Sequence, residues 1–158
     1  MMTKVELEDF VREVYASFNQ TFYEAEREYV LRAWWNLLKD LEVVDVRRKF
    51  LQMAVVAKVM PTPGAIRRTV VESTLESVPP TPQEAWAELQ KMIQEVNQGT
   101  VGTRHETHSV LSATIRSLGP PAFSLSTNRD RDYFMSVYAE KLAAFYENVY
   151  RVEDGGAP

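Results

Sequence analysis

The sequence has no cysteine, which excludes disulfides, thiolate zinc sites and cysteine nucleophiles together and fits a reducing compartment. Glycine is scarce: the six stand at 64, 99, 102, 119, 155 and 156, and none is followed by lysine. The phosphate-cradling loop of nucleotide-driven enzymes is therefore missing. Histidine is scarcer still, with only His105 and His108, three apart in Arg104-His105-Glu106-Thr107-His108. A zinc-binding helix sets its two imidazoles four apart on one face, and no third ligand stands nearby in sequence. No glutamate lies three residues before either histidine, so the helical di-metal pattern fails too. No Gly-x-Ser-x-Gly elbow is present. No catalytic residue, metal or cofactor is expected. No apolar run approaches the ~20 residues of a membrane span, and Met1-Met2-Thr3-Lys4 leads into a charged amphipathic pattern without a secretory apolar region. A cytoplasmic location away from membranes is expected.

What is present is enough to build a core. Of 158 residues, 45% are apolar, and that proportion and length suit one domain or two small ones. The net charge of −4 is unevenly spread. Residues 1–28 hold three Lys/Arg against seven Asp/Glu, residues 29–75 eight against four, and residues 76–158 seven against eleven. Positive charge thus concentrates at 29–75, and any nucleic-acid contact would be weak or local there.

Apolar residues recur at three- and four-residue intervals between helix-start signals, which predicts an all-α fold of about seven helices in two subdomains. Four fall in an N-terminal unit, 1–75, and three in a C-terminal module, 80–150, with 151–158 a frayed tail. The first runs from Lys4 to Phe18, capped by Thr3 and Glu6, with Leu7, Val11, Val14, Tyr15 and Phe18 inward. The second starts at Thr21 with Glu24 closing a box, and buries Val30, Trp34, Leu37, Leu38 and Leu41. Asp45 caps the third, which buries Val46, Phe50, Met53, Ala54 and Ala57. Thr62 caps the fourth, about Pro63 to Thr74, with Pro63 at its first position. Thr81, Pro82 and Glu84 open the fifth, which turns Ala85, Trp86, Leu89, Ile93 and Val96 inward. Gly99 to Thr107 is a loop. The sixth runs from His108 to Leu118, capped by Thr107 and ended by Gly119. Thr127 caps the last, to Tyr150, apolar on two stripes: Phe134, Val137, Leu142, Phe145 and Val149, then Met135, Ala139, Tyr146 and Tyr150.

The candidate partner-binding residues follow from this layout. Arg47, Arg48 and Lys49 form a basic run on the third helix, ordinarily a solvated face but also a match for DNA phosphate or an acidic protein patch. Arg67 and Arg68 on the fourth helix carry the same two meanings. Trp35 stands one step around from the stripe of Trp34. Tyr146 and Tyr150 lie on the second stripe of the last helix, where a partner helix could dock. The third and fourth helices, joined by Met60-Pro61-Thr62-Pro63-Gly64, also admit a helix-turn-helix DNA-binding regulator or replication initiator, although no Asn or Gln accompanies Arg67 and Arg68 to read adenine.

Trp34-Trp35-Asn36-Leu37-Leu38-Lys39-Asp40-Leu41, a third helix, and then Met60-Pro61-Thr62-Pro63-Gly64-Ala65-Ile66-Arg67-Arg68 resemble the N-terminal domain of the phage replicative-helicase loader/inhibitor family over about residues 5–75. Ala85-Trp86-Ala87-Glu88-Leu89, Ile115-Arg116-Ser117-Leu118-Gly119 and Arg131-Asp132-Tyr133-Phe134 with Tyr138 are similar to a helical module of phage replication proteins. The better-known members instead carry a flexible C-terminal tail that orders on the helicase. The resemblance implies a non-enzymatic adaptor that binds a hexameric replicative DNA helicase, of host or phage type, loads or inhibits it, and meets an origin-bound initiator protein.

Overall fold

The computed structural model describes residues 1–99 and 107–153. Residues 100–106, where most of the expected loop from Gly99 to Thr107 falls, and the residues from 154 onward lie outside that description. The protein is all-helical, with seven α-helices and no strand among the described residues. The chain divides into two compact units, residues 1–75 with 150–158, and residues 76–149.

In the first unit, α1 (Lys4–Ser17), α2 (Arg27–Leu38), α3 (Val43–Ala54) and α4 (Pro63–Glu72) are joined by short turns. α1 packs on α2 and α3, and α4 packs on α2 and α3. The core is built from Leu7, Phe10, Val11 and Val14 of α1 with Trp34, Leu38, Val46, Phe50, Ile66 and Val70. Phe10 meets the ring of Trp34 at 6.0 Å and that of Phe50 at 5.6 Å, both edge-on, the arrangement ring quadrupoles favour. The inward stripe read from sequence left out Phe10, although 7, 10, 11 and 14 is the i, i+3, i+4, i+7 pattern of one helical face.

Local cap chemistry sets most helix starts. Thr3 accepts from the Glu6 N–H at 3.2 Å while the Glu6 carboxylate accepts from the Thr3 N–H at 2.8 Å. Thr62 caps α4 through the Ala65 N–H, and Pro63 occupies the first position, where no N–H is needed. Two starts in this unit differ from expectation. α2 begins at Arg27 after a 3₁₀ turn over Glu24–Glu26; Glu24 does not close a box on Thr21 because its carboxylate takes the Arg12 guanidinium, 2.9 Å away. α3 begins at Val43, and Asp45, inside its first turn, pairs with Arg48 rather than capping.

In the second unit, α5 (Pro82–Asn97), α6 (Ser109–Leu118), a 3₁₀ turn (Pro120–Ser124) and α7 (Asn128–Tyr150) enclose Ala85, Leu89, Val110, Leu111, Phe134 and Tyr138. The reciprocal cap of Thr81 and Glu84 opens α5, and Thr127 with Asp130 opens α7 in the same way. His108, not Thr107, caps α6, its Nδ1 accepting from the Val110 N–H at 3.1 Å. Gly119 ends α6 at φ +69°, a conformation that suits a residue without Cβ. Val96 is exposed rather than inward. Tyr138, outside both expected stripes, is fully buried and donates to the Pro80 carbonyl at 2.5 Å. Burial pushes its hydroxyl up to about 12.

Candidate partner-binding surface

The face of α3 opposite its core residues is the most unusual surface of the first unit. Val46, Phe50 and Met53 point inward, whereas Val44, Leu51 and Val55 recur at i, i+7 and i+11 on the other side. Val44 is 69% exposed, Leu51 52% and Val55 85%, and Val56 and Val59 just beyond are also exposed. A helix that needs only one apolar face for its core has here a second one in solvent. The sequence carried a signal for it, since the apolar positions of α3 fall into two groups about half a turn apart. The expected stripe of Val46, Phe50 and Met53 accounts for one group only.

Two of the expected basic residues border this stripe. By helical spacing Arg47 lies on one side and Arg48 on the other. Arg47 Nε donates to Glu13 Oε2 at 2.8 Å, and Arg48 pairs with Asp45. Both arginines are more than 40% exposed, so these pairs bind weakly and can exchange partners. Lys49 is half-buried and Lys58 exposed; neither has a carboxylate partner among the described residues.

Arg67 is not a surface residue. It is 5% exposed, and its five N–H groups are all used. Nη1 and Nη2 clasp the two Asp40 oxygens at 2.7 and 2.9 Å. The remaining donations reach the carbonyls of Leu37 at 3.0 Å, Tyr150 at 2.9 Å and Arg151 at 2.7 Å. One guanidinium thus satisfies orphan carbonyls at the C-terminal ends of α2 and α7. Burial opposes charge on Asp40, but the Arg67 clasp and the Glu153 N–H outweigh it and hold the carboxyl below its ordinary value. Residues 151–153, expected to fray, are held here because their backbone meets these two side chains. A helix-turn-helix would lose one of its two reading arginines to this node.

The neighbouring candidates are partly drawn into the same node. Arg68 is exposed and lies 5.5 Å from the Tyr150 ring. Tyr150 donates its hydroxyl to Glu72 as well as giving its carbonyl to Arg67, so it is not spare for a partner. Tyr146, in the second unit, is half-buried and meets Phe145 edge-on at 5.4 Å.

Trp35 is half-buried, with the Lys4 ammonium 5.9 Å from its ring. It lines a cleft of about 400 Å³ between α1 and α2, together with Leu7, Leu31, Glu8, Arg27, Glu28 and Arg32. The charges there are largely matched among themselves. Glu8 accepts from Arg27 and Arg12, which lowers its carboxyl to about 2, and Glu28 pairs with Arg32. Among the described residues no cluster of three His, Cys, Asp or Glu is placed to hold a metal ion. No described helix is long and apolar enough to cross a membrane.

No protein-family model matches the chain, and comparisons with curated proteins and with solved structures also gave no match. The functional reading therefore rests on the surface itself and on the residues of the helicase-loader resemblance.

Proposed function

We propose that this chain is a non-enzymatic DNA-replication adaptor that binds a hexameric replicative helicase and loads or inhibits it at the origin. The observation that carries the reading is the outward apolar stripe of α3, Val44, Leu51 and Val55. It lies within the 5–75 segment that resembles helicase loaders and inhibitors. Exposed aliphatic side chains bordered by arginines form a surface that gains free energy by being covered with protein.

Without a phosphate loop of its own, the chain would act on a helicase only through affinity that differs between ring conformations. A ring state that presents a complementary surface better would be captured, then released to an origin-bound initiator. The helix-turn-helix alternative draws less support, because Arg67 faces inward and only Arg68 of the pair is open to solvent.

Size-exclusion chromatography of the chain with a phage or host hexameric replicative helicase at micromolar concentration tests the reading. Co-migration is expected, and Leu51→Asp with Val55→Asp should abolish it. A chain that elutes alone beside every such hexamer overturns the proposal.

A further inference from the structure

We propose that the outward face of α3 is a docking site for an acidic amphipathic helix of a partner protein. This deepens the adaptor reading by naming the chemistry of the partner's surface, and it rests on that reading only in taking α3 as the contact.

The stripe has the shape of a helix-packing ridge. Val44 and Val55 stand 11 positions apart, about 16 Å at 1.5 Å per residue, so a partner helix of about three turns would cover the stripe side by side. All three are more than half exposed, and Val56 and Val59 extend the apolar surface past the helix end. The partner's facing residues must therefore be aliphatic.

The charge around the stripe selects its flanks. Residues 43–59 contain Arg47, Arg48, Lys49 and Lys58 against Asp45 alone, a balance of +3 that stays positive, at +2, when Glu13 of α1 on Arg47 is counted. Arg47 and Arg48 bracket the ridge from opposite sides in exposed, exchangeable pairs, and Lys58 is unpaired among the described residues. Glutamates or aspartates flanking the partner's apolar face would meet all three. A second copy of this chain is the wrong occupant. An isologous contact would set this +3 segment against itself, and like charges across an interface are repelled. Nucleic acid is the wrong occupant as well, since phosphate has nothing to gain from the five aliphatic side chains.

Fluorescence anisotropy tests this with a stapled helical peptide of about three turns, leucines along one face and glutamates on both flanks, beside a twin whose glutamates are lysines. The acidic peptide should bind the full chain, and the lysine twin should bind at least about tenfold more weakly. Leu51→Asp or Val55→Asp should abolish binding, and Arg48→Glu with Lys58→Glu should reverse the preference between the two peptides. These positions are exposed, so circular dichroism melting should be unchanged; if a variant does unfold, the charge reversal supplies the test instead. Equal or better binding of the lysine twin, or acidic binding indifferent to Leu51→Asp and Val55→Asp, overturns the inference. So does absence of binding, or tighter binding of oligo(dT). Dimers in sedimentation that Leu51→Asp dissolves would assign the surface to self-association and overturn it too. Peptide binding without helicase co-migration removes the helicase alone. Co-migration that survives Leu51→Asp removes the α3 docking site alone.

Discussion

Arg67 has more bonds to lose than any other side chain of the first unit. It clasps Asp40 with two bonds and closes three backbone carbonyls while almost fully enclosed. Arg67→Leu would leave a buried carboxylate and the helix-end carbonyls unpaired, a loss of about 3–5 kcal/mol in chemical denaturation. Arg67→Lys should recover only part of this, because an ammonium cannot reproduce the planar fork. Glu8 offers a second test, in pH. Its folded carboxyl lies at about 2 against an ordinary 4.5, held down by hydrogen bonds from Arg27 and then Arg12. A depressed carboxyl contributes stability that is present above its unfolded value and is lost as pH falls toward the folded one. Glu8→Gln should therefore melt below the native chain at pH 7. The gap should narrow below about pH 4.5 and close near pH 2, as read by thermal melts across that range.

Helix starts vary in how many partners they enlist. Thr81 is half of a reciprocal cap with Glu84, whereas Thr62 makes a single bond to the Ala65 N–H. Thr81→Ala should cost about 1–2 kcal/mol in equilibrium unfolding and Thr62→Ala less. These starts were legible in sequence because cap and partner stand three residues apart. Starts that depend on distant residues were not. Glu24 fails to box with Thr21 because Arg12 of α1 takes its carboxylate, a contact twelve residues away. The candidate site divides along the same line. Arg48 and Trp35 remain at a surface, where spacing on a helix places them. Arg67 turned inward for carbonyls more than 80 residues distant in sequence, which no local pattern announces. Tyr138 was left out of both expected stripes although Phe134, Tyr138, Leu142 and Phe145 recur at i, i+4, i+8 and i+11 on one core-facing side of α7. The outward ridge of α3 shows the converse. Its residues form a second apolar group visible in the spacing, but only the contacts of Val46 and Phe50 reveal which group builds the core and which is left in solvent.

At the scale of the molecule, the first unit is discontinuous: residues 1–75 are joined by 150–158, with 76–149 forming the second unit between them. Removing residues 150–158 takes two carbonyl acceptors from Arg67 and the Glu153 N–H from Asp40. The truncated chain should show a lower melting point for the first unit and an unchanged one for the second. Tryptophan replacement separates the two readouts. Trp34 and Trp35 pack with the first core and Trp86 with the second, so single-tryptophan variants report each unit by fluorescence. The return of residues 150–153 to the Arg67 node also sets an order of events during biosynthesis. Helices α1 to α4 leave the ribosome first, yet two of the three Arg67 carbonyl partners, those of Tyr150 and Arg151, do not exist until the whole of residues 76–149 has been translated. The second unit is continuous in sequence, whereas the first gains its last acceptors only when residues 150–153 emerge. Folding of the intervening segment shortens the loop that must close between Arg67 and Tyr150, 83 residues apart. The portion of the chain made first is thus the portion finished last, and a nascent chain stalled before Tyr150 would hold Arg67 and Asp40 clasped to each other with the two tail carbonyls still missing.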